Sequence, residues 1–217
     1  MSLDVLTIIM AGGEGKRLWP LTAERNKPAV PFGGKYRMVD IPLSNAANSG
    51  LNRVYVVTQG RDFSFMEHMK HAWHIDSLDG FVTTISPQEP GSMYMGTADS
   101  VRQIIKYIQR QNPDFVLVAP GDNIVKMNYQ TFVQFLVSRP NADAAVALVE
   151  MPLQRASELG SASLSPDSWI TAFKEKDPNT PFRASDNQHF FASMGTYAFR
   201  TAVLLDVLNS GQEFCVV

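Results

Sequence analysis

Short apolar runs and amphipathic stretches alternate along most of this chain. Residues 5–10 (VLTIIM), 53–58 (RVYVVT), 81–86 (FVTTIS), 115–120 (FVLVAP) and 143–149 (DAAVALV) are apolar or β-branched at all or all but one of their positions, as strands in a covered sheet are. Between them lie helix-period patterns: one after Pro42, closed by Gly50; one over 63–73, capped by Asp62, with Phe65, Met66, Met69 and Trp73 inward; one over 98–111 with Val101, Ile104, Ile105 and Ile108 inward; and one over 129–138 with Phe132, Phe135 and Leu136 inward. From Pro152 the segments become shorter and more polar: a strand over 169–173, a loop over 177–188, a strand over 190–199 interrupted at Gly195, and a helix over 201–209 with Val203, Leu204, Val207 and Leu208 inward.

Strand and helix alternating over about 150 residues predict an α/β protein with a Rossmann-like, doubly wound, mostly parallel sheet and right-handed crossovers. Ligands of such sheets bind outside the carboxyl ends of the strands. The 217 residues suit a single α/β domain spanning 1–217.

Composition narrows the function. A net charge of −2 gives no basic face for nucleic acid, so phosphate binding is expected to be local. The lone Cys215 forms no internal disulfide and no zinc-type cysteine pair. No apolar stretch reaches transmembrane length, and no basic segment precedes an apolar run at the N-terminus, so the expectation is a cytoplasmic protein without membrane partners.

The candidate chemistry begins where the first strand ends. Gly12, Gly13 and Gly15 free the backbone to pass close to a bulky ligand and to turn its amides toward an anion. Lys16, Arg17, Arg25 and Lys27 follow, so a glycine-rich turn and several cations share one loop, as a triphosphate requires. The dinucleotide fingerprint fails because Leu18 stands where its last glycine belongs, and a Walker A loop fails because Arg17 follows Gly15-Lys16. The plain alternative is a surface turn with solvated charges. Against it, the loop leaves a strand and keeps Leu18, Trp19 and Leu21 among its charges.

Other strand ends repeat the pattern. Gln59-Gly60 follows the second strand, and a glycine-containing loop over 87–99 opens a helix after the third, a ready anion or ribose site. Gly121-Asp122-Asn123 ends the central strand. Asp122 is a candidate magnesium ligand, with a turn or capping role as its alternative. His68, His71 and His74 drift around their helix at a spacing of three with no acidic partner in the pattern, which reads as a solvated flank.

The stretch GGEGKRLWPLT, followed by ERNKPAVPFGGKYRMVDIPLSNAANSG, resembles the signature of sugar-1-phosphate nucleotidylyltransferases, and within them that of the glucose-1-phosphate adenylyltransferases (ADP-glucose pyrophosphorylases). The resemblance implies adenylyl transfer from ATP to α-glucose 1-phosphate for glycogen or starch synthesis, with Mg2+ and no protein nucleophile. It implies that Gly12, Gly13 and Gly15 approach the nucleotide, that Arg17 and Lys27 face its phosphates, and that Asp122 holds the metal. It further implies base and ribose contacts from Gln88 and Gly96-Thr97-Ala98, with Gln59 a weaker candidate. Glu175, Lys176 and Ser193 match the sugar-phosphate side, with Tyr94 near the sugar or nucleotide or else packed in the core. Lys35 and Arg37 fall where the family often binds anionic activators.

Departures from the family pattern are as specific. Its second metal-binding aspartate, in a Trp-Arg-Asp-Val-Gly type motif, and its left-handed β-helix have no counterpart here, which implies a C-terminally incomplete catalytic domain whose full-length form is a homo-oligomer, a tetramer. Asp177 intervenes before Pro178 where the family has Glu-Lys-Pro, and Met95 stands in place of an arginine. Within the class, dTTP, UTP or GTP specificity remains an alternative. Outside it, the alternative is a regulatory subunit that binds nucleotide or sugar phosphate without turnover.

Overall fold

The computed structural model describes residues 3–13, 15–59, 62–73, 80–87, 93–176 and 188–210. In chain order the elements are β1 (Val5–Met10), the two-strand ribbon β2 (Pro31–Phe32) and β3 (Tyr36–Arg37), α1 (Asp40–Asn48), β4 (Arg53–Val57), α2 (Phe63–Ala72), β5 (Phe81–Ile85), α3 (Thr97–Gln103), α4 (Ile105–Gln111), β6 (Phe115–Pro120), α5 (Tyr129–Val137), β7 (Ala144–Pro152), β8 (Gly160–Leu164), β9 (Ile170–Glu175), β10 (His189–Arg200) and α6 (Thr201–Asn209). The described residues of Met1–Ala145 and Tyr197–Val216 form one compact unit, and Val146–Thr196 form another. Strands β7 and β10 each run from one unit into the other.

In the larger unit the strands lie in the order β5-β4-β1-β6, all parallel, and the last residues of β10 pair antiparallel with β6. Because successive strand side chains point to opposite faces, the sheet divides its apolar residues between two cores. Val5 and Ile9 of β1, Val54 and Val56 of β4, and Leu117 and Ala119 of β6 meet Leu43 and Ala46 of α1, Phe65 and Met69 of α2, and Val133 and Leu136 of α5. Leu6 and Ile8, Tyr55 and Val57, and Val116 and Val118 meet Val101 of α3, Ile104, Ile108 of α4, and Leu204 and Leu208 of α6. Helices on both faces of a mainly parallel sheet are the doubly wound arrangement expected from the alternation of apolar runs.

Several local expectations change. The helix expected over 98–111 is two helices that meet at Ile104, where the backbone turns aside at φ −101° and ψ 11°. In α2 Met66 is exposed while Phe65 and Met69 are buried, and in α5 Phe135 is exposed while Tyr129, Val133 and Leu136 form the inward stripe. Each inward stripe is a true three-and-four spacing, and the excess apolar residues flank it. The first helix starts at Asp40, two residues before Pro42, which is tolerated because its missing N–H falls in the unbonded first turn. Asp62 caps α2 as expected, accepting from the Phe65 N–H at 2.9 Å, and Gly50 follows α1 at φ +71°.

The histidines of α2 also differ from expectation. His71 pairs with Glu67 at the surface, and His74 lies outside the described residues. His68 is largely buried against Asp40 of α1, with Nε2 at 2.7 and 3.0 Å from its two carboxylate oxygens. Periodicity within one helix does not register a partner supplied by another. The same carboxylate accepts from Trp73 Nε1–H at 2.6 Å and from the Arg37 N–H at 2.7 Å, and Asp40 is only 4% exposed. A buried carboxylate is tolerated when its lone pairs are filled in this way, and this one ties α1, α2 and the β2–β3 ribbon together.

In the smaller unit β8 pairs antiparallel with β9 and with β10, and Phe190 and Ala192 pack with Ala156. Strand β8 (GSASL) was not expected, because its small polar residues give little apolar signal. Among the described residues no helix is long and apolar enough to cross a membrane.

Asp40→Ala strands three donors in the interior and should destabilise the protein by about 3 kcal/mol. Asp40→Asn, which keeps one acceptor oxygen, should lose roughly half as much. Denaturant midpoints that do not move in either variant would contradict the assigned role.

Candidate functional site

The parallel ladder continues one step past the strands before the loops part. The Ala11 N–H donates to Val57 O at 2.6 Å, the Gly121 N–H to Met10 O at 2.8 Å, and the Thr58 N–H to Ile85 O at 2.9 Å. A Cβ at Gly121 would lie 2.8 Å from Met10 O and 3.3 Å from Ala11 Cα. Only glycine permits that approach, and it delivers Asp122 to the side of the loop that follows β1.

Two glycines of that loop have a physical reason in the packing around them. At Gly12 a side chain would press on Gln59 Cγ at 3.2 Å, whereas at Gly13 there is open space. Gly15 adopts φ +69°, and a Cβ there would stand 2.7 Å from Lys27 Cβ and 2.8 Å from Thr22 Cγ2. Thr22 Oγ1–H donates to Gly15 O at 3.0 Å, and the Lys27 N–H donates to Gly13 O at 3.1 Å. Lys27 therefore lies folded back along the glycine turn at the head of a 3-10 turn, Lys27–Ala29, with Pro28 presetting its φ.

From that position Lys27 Nζ meets Asp122 Oδ2 at 2.7 Å, with both side chains about one-third exposed (32% and 31%). The loop after β1 and the carboxylate after β6 thus converge. Arg17 is exposed on a separate 3-10 turn, Lys16–Leu18. Asn26 was not singled out from sequence, yet it anchors the loop. Its N–H donates to Asp62 at 3.1 Å and its side-chain amide to Thr58 Oγ1 at 3.3 Å.

The third loop is held from the second. Gln59 donates from Nε2 to Tyr94 O at 2.7 Å and accepts the Tyr94 N–H at 2.9 Å on Oε1, a two-point grip on one peptide. Tyr94 itself is buried in the core shared with α3 and α4, and burial, followed by the neighbouring Tyr107 and Asp99, pushes its hydroxyl up to about 12. Its side chain thus packs in the core, the alternative considered from sequence. Gly96, at φ +134°, precedes Thr97 and Ala98 at the start of α3. Asp99 accepts from the Met95 N–H at 2.8 Å. Gln88 lies outside the described residues.

Lys35 Nζ sits 5.3 Å from the centre of the Tyr36 ring. Arg37 directs Nη1 to Ala29 O at 3.3 Å and Nη2 to Ser64 Oγ at 2.9 Å. In the smaller unit, Glu175 Oε1 meets Lys176 Nζ at 3.0 Å, and Lys176 turns through φ +47°. Gly160 pairs with Glu175, and a Cβ there would fall 2.6 Å from Glu175 Oε2. Since Ala192 pairs with Ser161, the register places Ser193 and Glu175 on either side of Gly160. No sequence signal marks Gly160, because β8 itself gives none.

For a metal, the described residues hold no group of three or more His, Cys, Asp or Glu side chains. Asp122 alone, at the mouth of the glycine turn, suits an ion such as Mg2+ that keeps its waters and is shared between one or two carboxylates and substrate phosphates.

Residues 6–214 match the family model described as nucleotidyl transferase. The chain is similar to the glucose-1-phosphate adenylyltransferase of Trichlorobacter lovleyi, at 39% identity over 97% of this chain and 51% of that protein. It is similar also to that of Geobacter metallireducens, at 37% over 97% and 52%, and to glucose-1-phosphate adenylyltransferase 2 of Vibrio cholerae, at 39% over 97% and 52%. The chain spans about half the length of the curated relatives it matches. With a match from the first strand through the last helix, the chain belongs to the nucleotidyl transferase family.

Proposed function

We propose that this chain carries the catalytic machinery for adenylyl transfer from ATP to α-glucose 1-phosphate, giving ADP-glucose and pyrophosphate. The observation that carries the reading is the convergence of Lys27 and Asp122, 2.7 Å apart, on the turn built from Gly12, Gly13 and Gly15. The names of the relatives support the choice of adenylyl and of glucose 1-phosphate.

An oxygen of the sugar phosphate attacks the α-phosphorus of ATP, the bond from that phosphorus to the bridging oxygen of pyrophosphate breaks, and the new phosphoanhydride is ADP-glucose. Both reactants are polyanions, so most of the barrier comes from bringing them together and accommodating the charge on the leaving group. Open space at Gly13 admits the phosphates to the loop backbone, and Lys27 and Arg17 offer them cations. Asp122 would hold Mg2+, which supplies charge neutralisation on the phosphates. Gln59 contributes by fixing the backbone of Tyr94, and with it the approach of Gly96, Thr97 and Ala98 to the base and ribose. Gln88 is assigned to the base. On the sugar side Lys176 would face the phosphate, with Glu175 and Ser193 facing the hexose across bare Gly160. Lys35 and Arg37 would attract an anionic activator, the guanidinium exchanging its Ser64 partner for the ligand.

Exchange of labelled pyrophosphate, measured separately with ATP, UTP, dTTP and GTP, tests the reading. ATP should be preferred at least tenfold. Preference for another nucleotide would move the chain to a different branch of the family, and nucleotide binding without exchange would make it a non-catalytic subunit.

Gly15→Ala drives a Cβ into the Lys27 stem and strains φ, so Mg2+-ATP should bind about tenfold more weakly. Equal binding in isothermal titration would remove Gly15 from the site. Lys176→Ala deletes a charge-assisted phosphate contact and should raise KM for glucose 1-phosphate about 10- to 100-fold with little change in KM for ATP. Steady-state kinetics with both substrates varied would show whether the two constants move apart.

A further inference from the structure

We propose that Asn45, on α1, is a positioning residue: it sets the path of the backbone that carries Asp122, and through it the affinity of the site for a divalent cation. This role rests on the reading of Asp122 as a metal ligand given above. After Gly121, whose N–H is bonded to Met10 O at 2.8 Å, the chain leaves the sheet and regains regular structure only where α5 begins at Tyr129. Asn45 reaches that stretch with both ends of its amide. Its Nδ2–H donates to Val125 O at 2.7 Å, and its Oδ1 accepts the Met127 N–H at 3.2 Å. The backbone settles which end of the amide is which, because a carbonyl only accepts and a peptide N–H only donates.

One helical turn further along the same face of α1, Ser49 holds the end of the stretch. Its Oγ accepts the Tyr129 N–H at 2.8 Å and donates to Asn45 O at 2.6 Å. Asn45 and Ser49 are 8% and 5% exposed, so water has little access to replace a lost bond, and loss of a partner is costly there. The consequence for Asp122 is one of slack. Residues 122–124 alone lie between the bond from Gly121 to β1 and the bond from Val125 to α1, and a span that short, tethered at both ends, has few backbone paths. Without Asn45 the next tether to α1 is at Tyr129, and the freedom of the stretch grows with its length. These bonds fix the backbone of Asp122 and leave its side chain to turn from Lys27 toward an arriving cation. A metal ligand binds best when the groups behind it hold it in place, and removing such a group lowers affinity about 10- to 100-fold.

The test compares Asn45→Leu, close in size but without either bond, with Asn45→Asp, which keeps the acceptor for Met127 and loses the donor to Val125. Arg200→Met serves as a control, because Arg200 Nε–H donates to Ala142 O at 2.8 Å and its loss destabilises the same unit away from Asp122. Mn2+ binding, followed by electron paramagnetic resonance with a non-hydrolysable ATP analogue present, should weaken about tenfold in Asn45→Leu and about threefold in Asn45→Asp, with no change in Arg200→Met. The analogue alone, in excess chelator, should bind all four proteins alike. Amides of residues 122–127 should exchange with deuterium about tenfold faster in Asn45→Leu. Unchanged Mn2+ affinity in Asn45→Leu, or an equal loss in Arg200→Met, would overturn the positioning role. Asp122→Asn, measured alongside, separates the two readings: full Mn2+ affinity in that variant overturns the metal assignment and the role built on it, whereas loss there with none in Asn45→Leu overturns the role of Asn45 alone. If circular dichroism shows that Asn45→Leu does not fold, Asn45→Asp decides by the same criterion.

Discussion

A lysine ammonium and an aspartate carboxylate held 2.7 Å apart, where two adjacent parallel strands end, constitute the interaction on which the site depends. Exposed ion pairs contribute little to stability, so this one matters for what it holds in place. It defines the point at which the loop after β1 and the loop after β6 meet, and that point is set by the backbone. Gly121 must pass within contact distance of Met10 and Ala11, and Gly15 must leave room for the Lys27 stem. Close approach of backbones at a strand edge, made possible by missing side chains, is how a parallel sheet turns hydrogen-bond register into a charged site.

The support behind the loop is more extensive than the loop. Asn26 ties it to Asp62 and Thr58, so it is fastened to the cap of α2 and to the end of β4. Arg37 grips the carbonyl of Ala29, at the end of the turn that carries Lys27, and Arg37 is itself fixed through Asp40, His68 and Trp73. Two faces of packed apolar residues keep the strands rigid, and a row of polar contacts fixes the loop on top of them. Precision of this kind is what electrostatic stabilisation of a polyanionic transition state needs, because groups that must reorganise lose much of their effect.

The parallel strands of the larger unit were legible in the sequence because each is an apolar run too short to be a helix and bounded by turn residues, whereas the two-residue strands β2 and β3 were not. The glycine turn was legible as a loop that leaves a buried strand and keeps Leu18, Trp19 and Leu21 among its charges. What sequence did not carry were partners brought together by the fold. Gln59 looked like a ligand contact and is bonded instead to a peptide 35 residues away. His68 looked solvated and meets a carboxylate on another helix. Strand β8 is mostly glycine, serine and alanine, with bare Gly160 opposite Glu175, which leaves little hydrophobic pattern. Met66 and Phe135 show the reverse error, apolar residues adjacent to an inward stripe that do not belong to it.

The central claim is that a polyphosphate lies on the turn after β1 and shares a divalent ion with the carboxylate after β6. A crystal structure with Mg2+ and a non-hydrolysable ATP analogue tests it most directly. The account predicts phosphate oxygens within hydrogen-bond distance of the amides of residues 12–15 and the ion bound to Asp122, with Lys27 swung from carboxylate to phosphate. A nucleotide bound elsewhere, or one on the turn with Lys27 and Asp122 still paired to each other, would contradict it.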